Sequence, residues 1–156
     1  MPIALKVLNF VKDSKCETIE HKTVYTAHDK AATLKLPEKI VGKTVVLKLD
    51  KEIGLALIPA HRNLDKNKIK KIAKVKKIDF ASEIIIKNRL KGAKPGAVPP
   101  FGLIWKIPTF IDSPLLKAKK IVVNSGQHNF SFRISGAGLK RLMPDLIKGN
   151  FSQARK

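Results

Sequence analysis

A glycine- and proline-rich segment at residues 96–102 is the stretch of this chain best suited to hold a reacting group by its backbone. Gly96 and Gly102 permit positive φ angles and close approach of another group, whereas the prolines around them stiffen the path. Such a loop can present fixed N–H groups to a developing oxyanion, and it can equally be a rigid structural turn. The segment alone leaves both interpretations open.

Lys43 is the second candidate, because it directly precedes a run of β-branched and aliphatic residues that predicts a strand at 44–49. A lysine at the mouth of a core strand can hold its ammonium in a pocket. It can also extend its aliphatic stem along the surface and keep its charge in water. The position alone does not choose between these roles.

The sequence lacks the residue patterns that several other common kinds of site require. The four histidines (His21, His28, His61 and His128) show no spacing typical of zinc ligands, and Cys16 has no cysteine partner. A Gly-x-Ser-x-Gly nucleophile motif does not occur. The tripeptide at 42–44 ends like a phosphate-binding loop, but the glycine that should precede it is missing from residues 38–41. We therefore expect no metal and no cofactor.

Apolar periodicity and turn residues predict the elements that must position these groups, and together they predict an α+β domain over residues 1–148 with a frayed basic tail at 149–156. Strands are expected at 17–21, 44–49, 53–60, 78–81, 109–112, 120–124 and 129–134, in a mixed or largely antiparallel sheet. Five helices are expected. The first covers 3–14 with Leu5, Leu8 and Val11 inward, the second runs from Thr26 or Asp29 toward Pro37, and the third covers 65–75 with Ile69, Ile72 and Ala73 inward. The fourth begins at Glu83 behind a Ser82 cap, and the last begins near Ser135 with Leu139, Leu142 and Leu146 on one face, where Pro144 bends or ends it.

The formal net charge of +20 over 156 residues favours polyanionic partners, with nucleic acid first and an anionic membrane surface second. Only five of the 32 basic residues are arginine, so the charge is mostly lysine, which attracts phosphate without reading sequence. A compositional habit would give the same excess. On the helix predicted at 65–75, Lys66, Lys70 and Lys74 share one outer face, which is either a solvated face or a set of RNA-phosphate contacts.

The single cysteine, the absence of a signal-peptide pattern at the start, and the lack of an apolar run near the ~20 residues of a membrane helix together predict a cytoplasmic protein.

A set of short segments, in this order and at these separations, resembles the YbaK/prolyl-tRNA editing family of aminoacyl-tRNA deacylases. This family includes the editing domain inserted in bacterial prolyl-tRNA synthetases and its free-standing relatives. The resemblance spans residues 17–142 and is most specific at 96–112. The segments are Val-Gly-Lys-Thr-Val-Val at 41–46, Leu-Ile-Pro-Ala at 57–60 with Leu-Asp at 64–65, Gly-Ala-Val-Pro-Pro-Phe-Gly at 96–102, Pro-Thr-Phe-Ile-Asp at 108–112 and Val-Asn-Ser-Gly-Gln-His at 123–128.

This resemblance implies a barrel-like sheet surrounded by helices and a metal-independent hydrolase that clears wrongly charged tRNA. The lysine matching Lys43 then positions the terminal adenosine or the aminoacyl group, and the glycine-rich loop borders the pocket. The implied catalytic residues are Lys43, Gly96, Ala97, Phe101 and Gly102. The implied substrate-binding residues are Thr44, Asp112, Asn124, Ser125, Gly126 and His128.

The resemblance also implies the partners, which are mischarged tRNA of the tRNA(Pro) type carrying Ala, Ser or Cys, and a prolyl-tRNA synthetase. Gly42 stands where some members have a bulkier residue, and Asn124-Ser125-Gly126 replaces the Ser-Gly-Gly of the cysteine-specific branch. The amino acid removed therefore stays open. Two alternatives also stay open: a non-catalytic RNA-binding module on the same fold and, ranked last, a peripheral membrane protein.

Overall fold

The computed structural model describes residues 2–155, so Met1 and Lys156, the ends of the predicted domain and tail, lie outside the described residues. The predicted α+β class is confirmed, because helices surround mixed sheets. The helices are α1 (Leu5–Val11), α2 (Ala27–Leu34), α3 (Lys66–Ala73), α4 (Glu83–Arg89), α5 (Ser113–Lys117) and α6 (Gly136–Leu142). The strands are β1 (Glu17–Glu20), β2 (Gly42–Leu49), β3 (Glu52–Pro59), β4 (Arg62–Leu64), β5 (Ile78–Phe80), β6 (Thr109–Asp112), β7 (Ile121–Asn124), β8 (Phe130–Ile134), β9 (Ile147–Gly149) and β10 (Ser152–Ala154).

The strands of the described chain form three sheets. A five-stranded sheet has the order β5-β2-β3-β6-β9, a three-stranded sheet has the order β1-β8-β7, and β10 pairs with β4. Pairing is antiparallel except along β3-β6 and β6-β9, which are parallel. The predicted mixed, largely antiparallel arrangement is thus confirmed, but the sheets remain separate and do not close into one barrel.

A parallel bridge connects the two larger sheets, which also pack together in one core. Val41, just before β2, forms an isolated parallel bridge with Val122 in β7. The Ala60 N–H, just after β3, donates to the Val41 carbonyl at 2.8 Å. The beginning of β2 is therefore held beside the end of β7, which brings Lys43 close to the segment that follows β7.

The predicted helix starts are confirmed where a hydroxyl side chain caps the first turn. Thr26 accepts from the Asp29 N–H at 3.0 Å, which settles the open choice between Thr26 and Asp29. Ser82 caps α4 and Ser135 caps α6 in the same way. Each cap satisfies an N–H group that the helix itself leaves unpaired.

The predicted apolar face of α1 is wrong at Leu5 and Leu8 and correct at Val11. Leu5 and Leu8 are exposed, whereas Val7 and Val11 are buried with Ile3 against the three-stranded sheet and α6. Both sets follow helical spacing, so periodicity could not choose between them. Packing selected the face that carries the β-branched residues.

Two other helices end earlier than predicted. Lys74 adopts a left-handed conformation and terminates α3, while Ile72 is 47% exposed rather than inward. The last helix ends before Pro144, because the residue preceding a proline is disfavoured in the α region, and Leu146 consequently lies outside it.

The C-terminal segment is ordered, which corrects the predicted frayed tail. β9 continues the five-stranded sheet beside β6, and β10 pairs with β4. Between them Phe151 is fully buried and packs edge-on against Phe110, with ring centroids 5.7 Å apart. One aromatic anchor and two short strand pairings fix a segment whose basic, polar sequence suggested mobility.

Replacing Phe151 by Ala should lower the free energy of unfolding by about 3–5 kcal/mol, because it empties a packed aromatic site. Urea denaturation followed by circular dichroism measures this change. Phe80→Ala is the matched control, since Phe80 is 57% exposed, and it should cost about 1 kcal/mol or less. Equal losses in the two variants would mean that the tail is not anchored by this ring.

Candidate active site

Three loops meet at the beginning of β2. The loop before α2 joins the loop after β7, because the Val24 N–H donates to the His128 carbonyl at 3.0 Å. The loop between α4 and β6 joins the same segment, because the Lys94 N–H donates to the Gly126 carbonyl at 2.9 Å. The loop after β7 is thus the shared support of the other two.

The glycine-rich loop is a structured turn at this junction. The Ala97 N–H donates to the Lys94 carbonyl at 2.9 Å, and the Ala97 carbonyl accepts from the Gly126 N–H at 2.7 Å. Gly96 and Gly126 have φ angles of +84° and +102°, which only glycine adopts without strain. A Cβ added at Gly126 would lie 3.1 Å from the Gly92 carbonyl oxygen. The two glycines permit close packing of the loops.

A cavity of about 230 Å³ lies between these loops and β2. Larger depressions exist, such as one of about 560 Å³ beside α1 and α6. The smaller cavity is the chemically distinctive one, since it alone of the two is lined by a buried cation and by buried oxygens that lack partners. Its lining residues are Val24, Tyr25, Thr26, Ala27, Lys30, Lys43, Thr44, Gly96, Ala97, Asn124, Gln127 and His128.

Lys30 is the unusual member of this set. Its side chain is 5% exposed, although lysine is almost never fully buried in proteins unless it is paired. Its Nζ donates to Asn124 Oδ1 at 2.6 Å, which is a neutral partner. Burial lowers the pKa of Lys30 from 10.5 to about 8, because an apolar environment disfavours the charged form. At pH 7 the ammonium is still the major form.

Two buried oxygens in the lining have no hydrogen-bond partner among the described residues, Thr44 Oγ1 and Gln127 Oε1. Buried polar atoms are normally paired, and an unpaired one costs about 1–3 kcal/mol. Finding both in one cavity indicates that a bound molecule or ordered water completes their bonding.

Lys43 and His128 are partly buried at the same cavity. Burial lowers the pKa of Lys43, and the Arg155 charge lowers it further, whereas Glu38 opposes the shift. Burial also lowers the pKa of His128, and Lys94 and Lys30 add to the effect. The His128 imidazole is therefore neutral at pH 7, and its ring lies 4.9 Å from the ring of Tyr25.

Six of the residues predicted for the site do line one cavity. They come from three parts of the chain that are far apart in sequence. They are Lys43, Thr44, Gly96, Ala97, Asn124 and His128.

Phe101, Gly102 and Asp112 do not line this cavity, and their roles in catalysis and substrate binding stay predictions. Phe101 is fully buried in the core beside α1. The Gly102 N–H donates to Thr109 Oγ1 at 3.0 Å, in a space that admits no Cβ. Asp112 accepts hydrogen bonds from the Phe151 N–H and the Ser152 hydroxyl, so it anchors the C-terminal segment.

Ser125 and Gly126 shape the loop and do not line the cavity. The Ser125 hydroxyl is buried and donates to the Phe130 carbonyl at 2.7 Å, which closes the turn between β7 and β8. Gly126 supports the glycine-rich loop as described above. Their role in substrate binding stays a prediction, and the loop that they shape carries Asn124 and His128 at its ends.

The lysines predicted to contact RNA phosphate do not form one helical row. Lys66 and Lys70 lie in α3, but Lys74 follows the last helical residue in a left-handed conformation. The Lys66 ammonium also lies 4.5 Å from the centroid of the Phe80 ring. The predicted i, i+4 stacking is thus correct for the first pair only.

Sequence reasoning missed Lys30, Tyr25 and Gln127. Lys30 comes four residues after the Thr26 cap, where it reads as an ordinary solvated lysine of a short helix. Gln127 lies inside one of the segments that carry the family resemblance, and this resemblance could have identified it as a site residue. Tyr25 is 69% exposed at the cavity rim, and exposed aromatic residues beside a pocket are recognisable only once the pocket is known.

Within residues 2–155, no three His, Cys, Asp or Glu side chains come together as a metal-ligand group. Over the same range, none of the helices has the length and apolar character needed to cross a bilayer.

The sequence profile of the aminoacyl-tRNA editing domain matches residues 21–142. The chain belongs to this family. The match begins before α2 and ends with α6, so the editing domain as defined by the family contains all the lining residues of the cavity.

Sequence relatives of this editing domain include proline–tRNA ligases. The enzyme of Staphylococcus saprophyticus is 31% identical over 112 residues, covering 72% of this chain and 19% of that protein. The enzyme of Staphylococcus aureus is 28% identical over 114 residues, covering 73% of this chain and 20% of that protein. The chain thus spans about a fifth of the length of the curated relatives it matches.

Solved structures share the fold of this editing domain at low sequence identity. A protein proposed to be a trans-editing enzyme for prolyl-tRNA synthetase matches with a TM-score of 0.86 at 20% identity, with 99% of both chains covered. A hypothetical protein matches with a TM-score of 0.84 at 24% identity, covering 95% of this chain and 99% of its own. At these identities the likeness concerns the fold alone.

The buried ammonium of Lys30 should make stability depend on pH. Because the folded state releases this proton at about pH 8 and the unfolded state at about 10.5, the unfolded state binds more protons between these values. The free energy of unfolding should therefore rise with pH across this window, by up to about 3 kcal/mol.

In Lys30→Met the free energy of unfolding should not show this rise. Urea denaturation from pH 7.5 to 10.5 should therefore show the wild type gaining stability relative to the variant as pH increases. Lys51→Met is the matched control, because Lys51 is an exposed lysine at the far end of the β2–β3 hairpin. Its curve should follow the wild type. Parallel curves for Lys30→Met and the wild type would show that Lys30 is not buried as a cation.

Proposed function

We propose that this protein is a trans-acting aminoacyl-tRNA deacylase that hydrolyses the ester bond of mischarged tRNA. The observation that carries the proposal is the cavity between the glycine-rich loop and β2, which holds two lysines and, among the described residues, no carboxylate. Membership of the editing-domain family supports the reaction class. The cationic lining supports an electron-rich substrate such as an ester beside an RNA phosphate.

An aminoacyl ester needs little catalytic help compared with an amide, since its ribose oxygen is a good leaving group. Water attacks the carbonyl carbon, the bond from this carbon to the ribose oxygen breaks, and the ribose oxygen takes a proton that the water gives up. Orientation of the ester and stabilisation of charge on its oxygen then suffice without a Ser-His-Asp triad. Gly96 and Ala97 border the cavity where the ester would lie.

Lys43 suits the role of holding the terminal nucleotide. It lies at the start of β2, the residue is half-buried, and Arg155, which directly follows β10, contributes a second positive charge nearby. A cation at the cavity rim binds ribose and phosphate oxygens while its aliphatic stem packs on the wall. His128, neutral at pH 7, can accept a hydrogen bond from the water or from a ribose hydroxyl.

We infer that a small aminoacyl group, Ala, Ser or Cys, is removed by a site that selects by size. The sequence relatives are proline–tRNA ligases, which supports tRNA(Pro) as the RNA and a prolyl-tRNA synthetase as a partner. We further propose that the protein acts in the cytoplasm.

A non-catalytic RNA-binding module is the second candidate, and the net charge of +20 favours it. It predicts salt-dependent binding of tRNA without ester hydrolysis above the spontaneous rate for any charged tRNA. The two candidates therefore separate in a single panel, with tRNA(Pro) and other tRNAs each charged with Ala, Ser, Thr or Cys.

Lys43→Ala should lower the single-turnover rate of deacylation by about 100-fold or more while the variant remains folded, because it removes a charge that orients the substrate. Lys48→Ala is the matched control, since Lys48 is exposed on the same strand. It removes the same formal charge and should leave the rate within about 3-fold. A wild-type rate for Lys43→Ala on every active substrate would refute the assignment of this site.

Binding of uncharged tRNA should weaken steeply as salt rises, because phosphate contacts release counterions. Lys70→Ala and Lys74→Ala should each reduce the slope of log K against log [salt] by roughly 1 if α3 contacts phosphate. Fluorescence anisotropy of labelled tRNA measures the slope. An unchanged slope in the double variant would assign these lysines to solvent.

A further inference from the structure

Lys30 has a bonding capacity that the protein itself does not use. An ammonium carries three N–H donors, and the hydrogen bond to Asn124 Oδ1 at 2.6 Å occupies one of them. The buried side chain has no carboxylate partner among the lining residues that the structure describes. A buried cation without a counter-charge is costly, so its retention beside the cavity calls for a ligand that supplies electron density.

The cavity also offers acceptors that lack donors. Thr44 Oγ1 and Gln127 Oε1 are buried in the same lining and have no partner within residues 2–155. A ligand that satisfies the cavity must therefore present oxygen atoms to Lys30 and an N–H or O–H group to Gln127 Oε1, whereas the Thr44 hydroxyl can donate or accept. An aminoacyl ester has both, because its carbonyl oxygen accepts and its α-ammonium donates.

We propose that Lys30 is a second substrate-contacting lysine, whose ammonium, positioned by Asn124, donates a hydrogen bond to the carbonyl oxygen of the aminoacyl ester. This inference rests on the proposed function for the identity of the ligand. It assigns Lys30 to the reacting carbonyl and leaves Lys43, half-buried at the start of β2, to the nucleotide side of the substrate.

The reaction step that Lys30 would assist is the addition of water. When the water oxygen bonds to the carbonyl carbon, the π electron pair moves to the carbonyl oxygen, which becomes negative. The Lys30 ammonium stabilises this charge by a hydrogen bond and keeps its proton. The C=O bond then reforms and the bond to the ribose oxygen breaks; one water proton goes to the ribose oxygen and the other to solvent.

Burial makes Lys30 better suited to this task than an exposed lysine. Attraction between an ammonium and an oxyanion strengthens as the surroundings become less polarisable, and the short bond to Asn124 fixes the donor before the charge develops. The charged and titratable groups that face this cavity are Lys43 from β2, His128 and Lys94 from the loops, and the Tyr25 phenol. Since the described lining contains no carboxylate, the ester oxygen is the partner that the cavity lacks.

The test combines kinetics with binding. Single-turnover deacylation of Ala- and Ser-charged tRNA(Pro) is measured for the wild type, Lys30→Met, Lys30→Gln and the charge-matched control Lys51→Met. Calorimetry then measures binding of an adenosine that carries alanine through a 3′-amide, which keeps the carbonyl oxygen but resists hydrolysis. Circular dichroism checks folding, and Lys30→Gln provides a polar replacement should Lys30→Met unfold.

Both Lys30 variants should lose about 100-fold or more in the rate constant at saturating enzyme and should bind the amide at least 10-fold more weakly, since the contact forms with the carbonyl oxygen and strengthens as charge develops. Lys51→Met should behave as the wild type. After subtraction of spontaneous hydrolysis, the wild-type rate should fall as pH rises above about 8, where the burial-lowered pKa of Lys30 lies, and the variants should lack this fall.

The outcomes separate the two proposals. Wild-type rates in both Lys30 variants, together with active wild-type protein, overturn the role of Lys30 and leave the deacylase intact. The wild type could bind the amide, with binding at least 10-fold weaker in the Lys30 variants, while no charged tRNA is hydrolysed. That result upholds the Lys30 contact and overturns the deacylase. If the wild type neither binds the amide nor hydrolyses an ester, both proposals fail.

Discussion

The parallel bridge between Val41 and Val122 is the constraint on which the candidate site depends. It joins the sheet that contains β2 to the sheet that contains β7, and these strands are separated by most of the domain in sequence. Lys43 and Thr44 lie on one sheet, and Asn124 lies on the other with His128 just after it. The bridge aligns the beginning of β2 with β7, and the shared core packs the two sheets together, so that these residues line one cavity.

The loop after β7 transmits this constraint to the other walls of the cavity. Gly126 exchanges hydrogen bonds with Lys94 and Ala97 through its backbone, and the His128 carbonyl receives the Val24 N–H. The positive φ of Gly126 and its close approach to Gly92 make this arrangement possible. The site is therefore built largely from main-chain contacts, and the ionisable side chains are placed by them.

Electrostatics give the cavity its chemical character. In a protein with a net charge of +20, exposed lysines are unremarkable, but a buried one held by a neutral amide is not. Burial lowers the pKa of Lys30, and the oxygens of Thr44 and Gln127 are buried in the same cavity without a hydrogen-bond partner. All three groups have lost contact with water, and the protein supplies neither an opposite charge for Lys30 nor a partner for the two oxygens. A small, polar, cationic cavity of this kind fits an ester linked to RNA better than an apolar ligand or a metal.

Local signals in the sequence predicted seven of the ten strands described, the capped helix starts at Ser82 and Ser135, the mixed α+β class and the family, because each depends on neighbouring residues or on the order of short segments. Tertiary structure alone decided which face of α1 is buried and that Phe151 anchors the C-terminal segment. It also decided that Phe101, Gly102 and Asp112 support the core, whereas Lys30 reaches the cavity. The physical reason is that burial and pairing arise between residues far apart in the chain. A lysine one turn into a short helix has the same local sequence signal whether it faces water or Asn124, and only the packing of β7 beside that helix distinguishes the two.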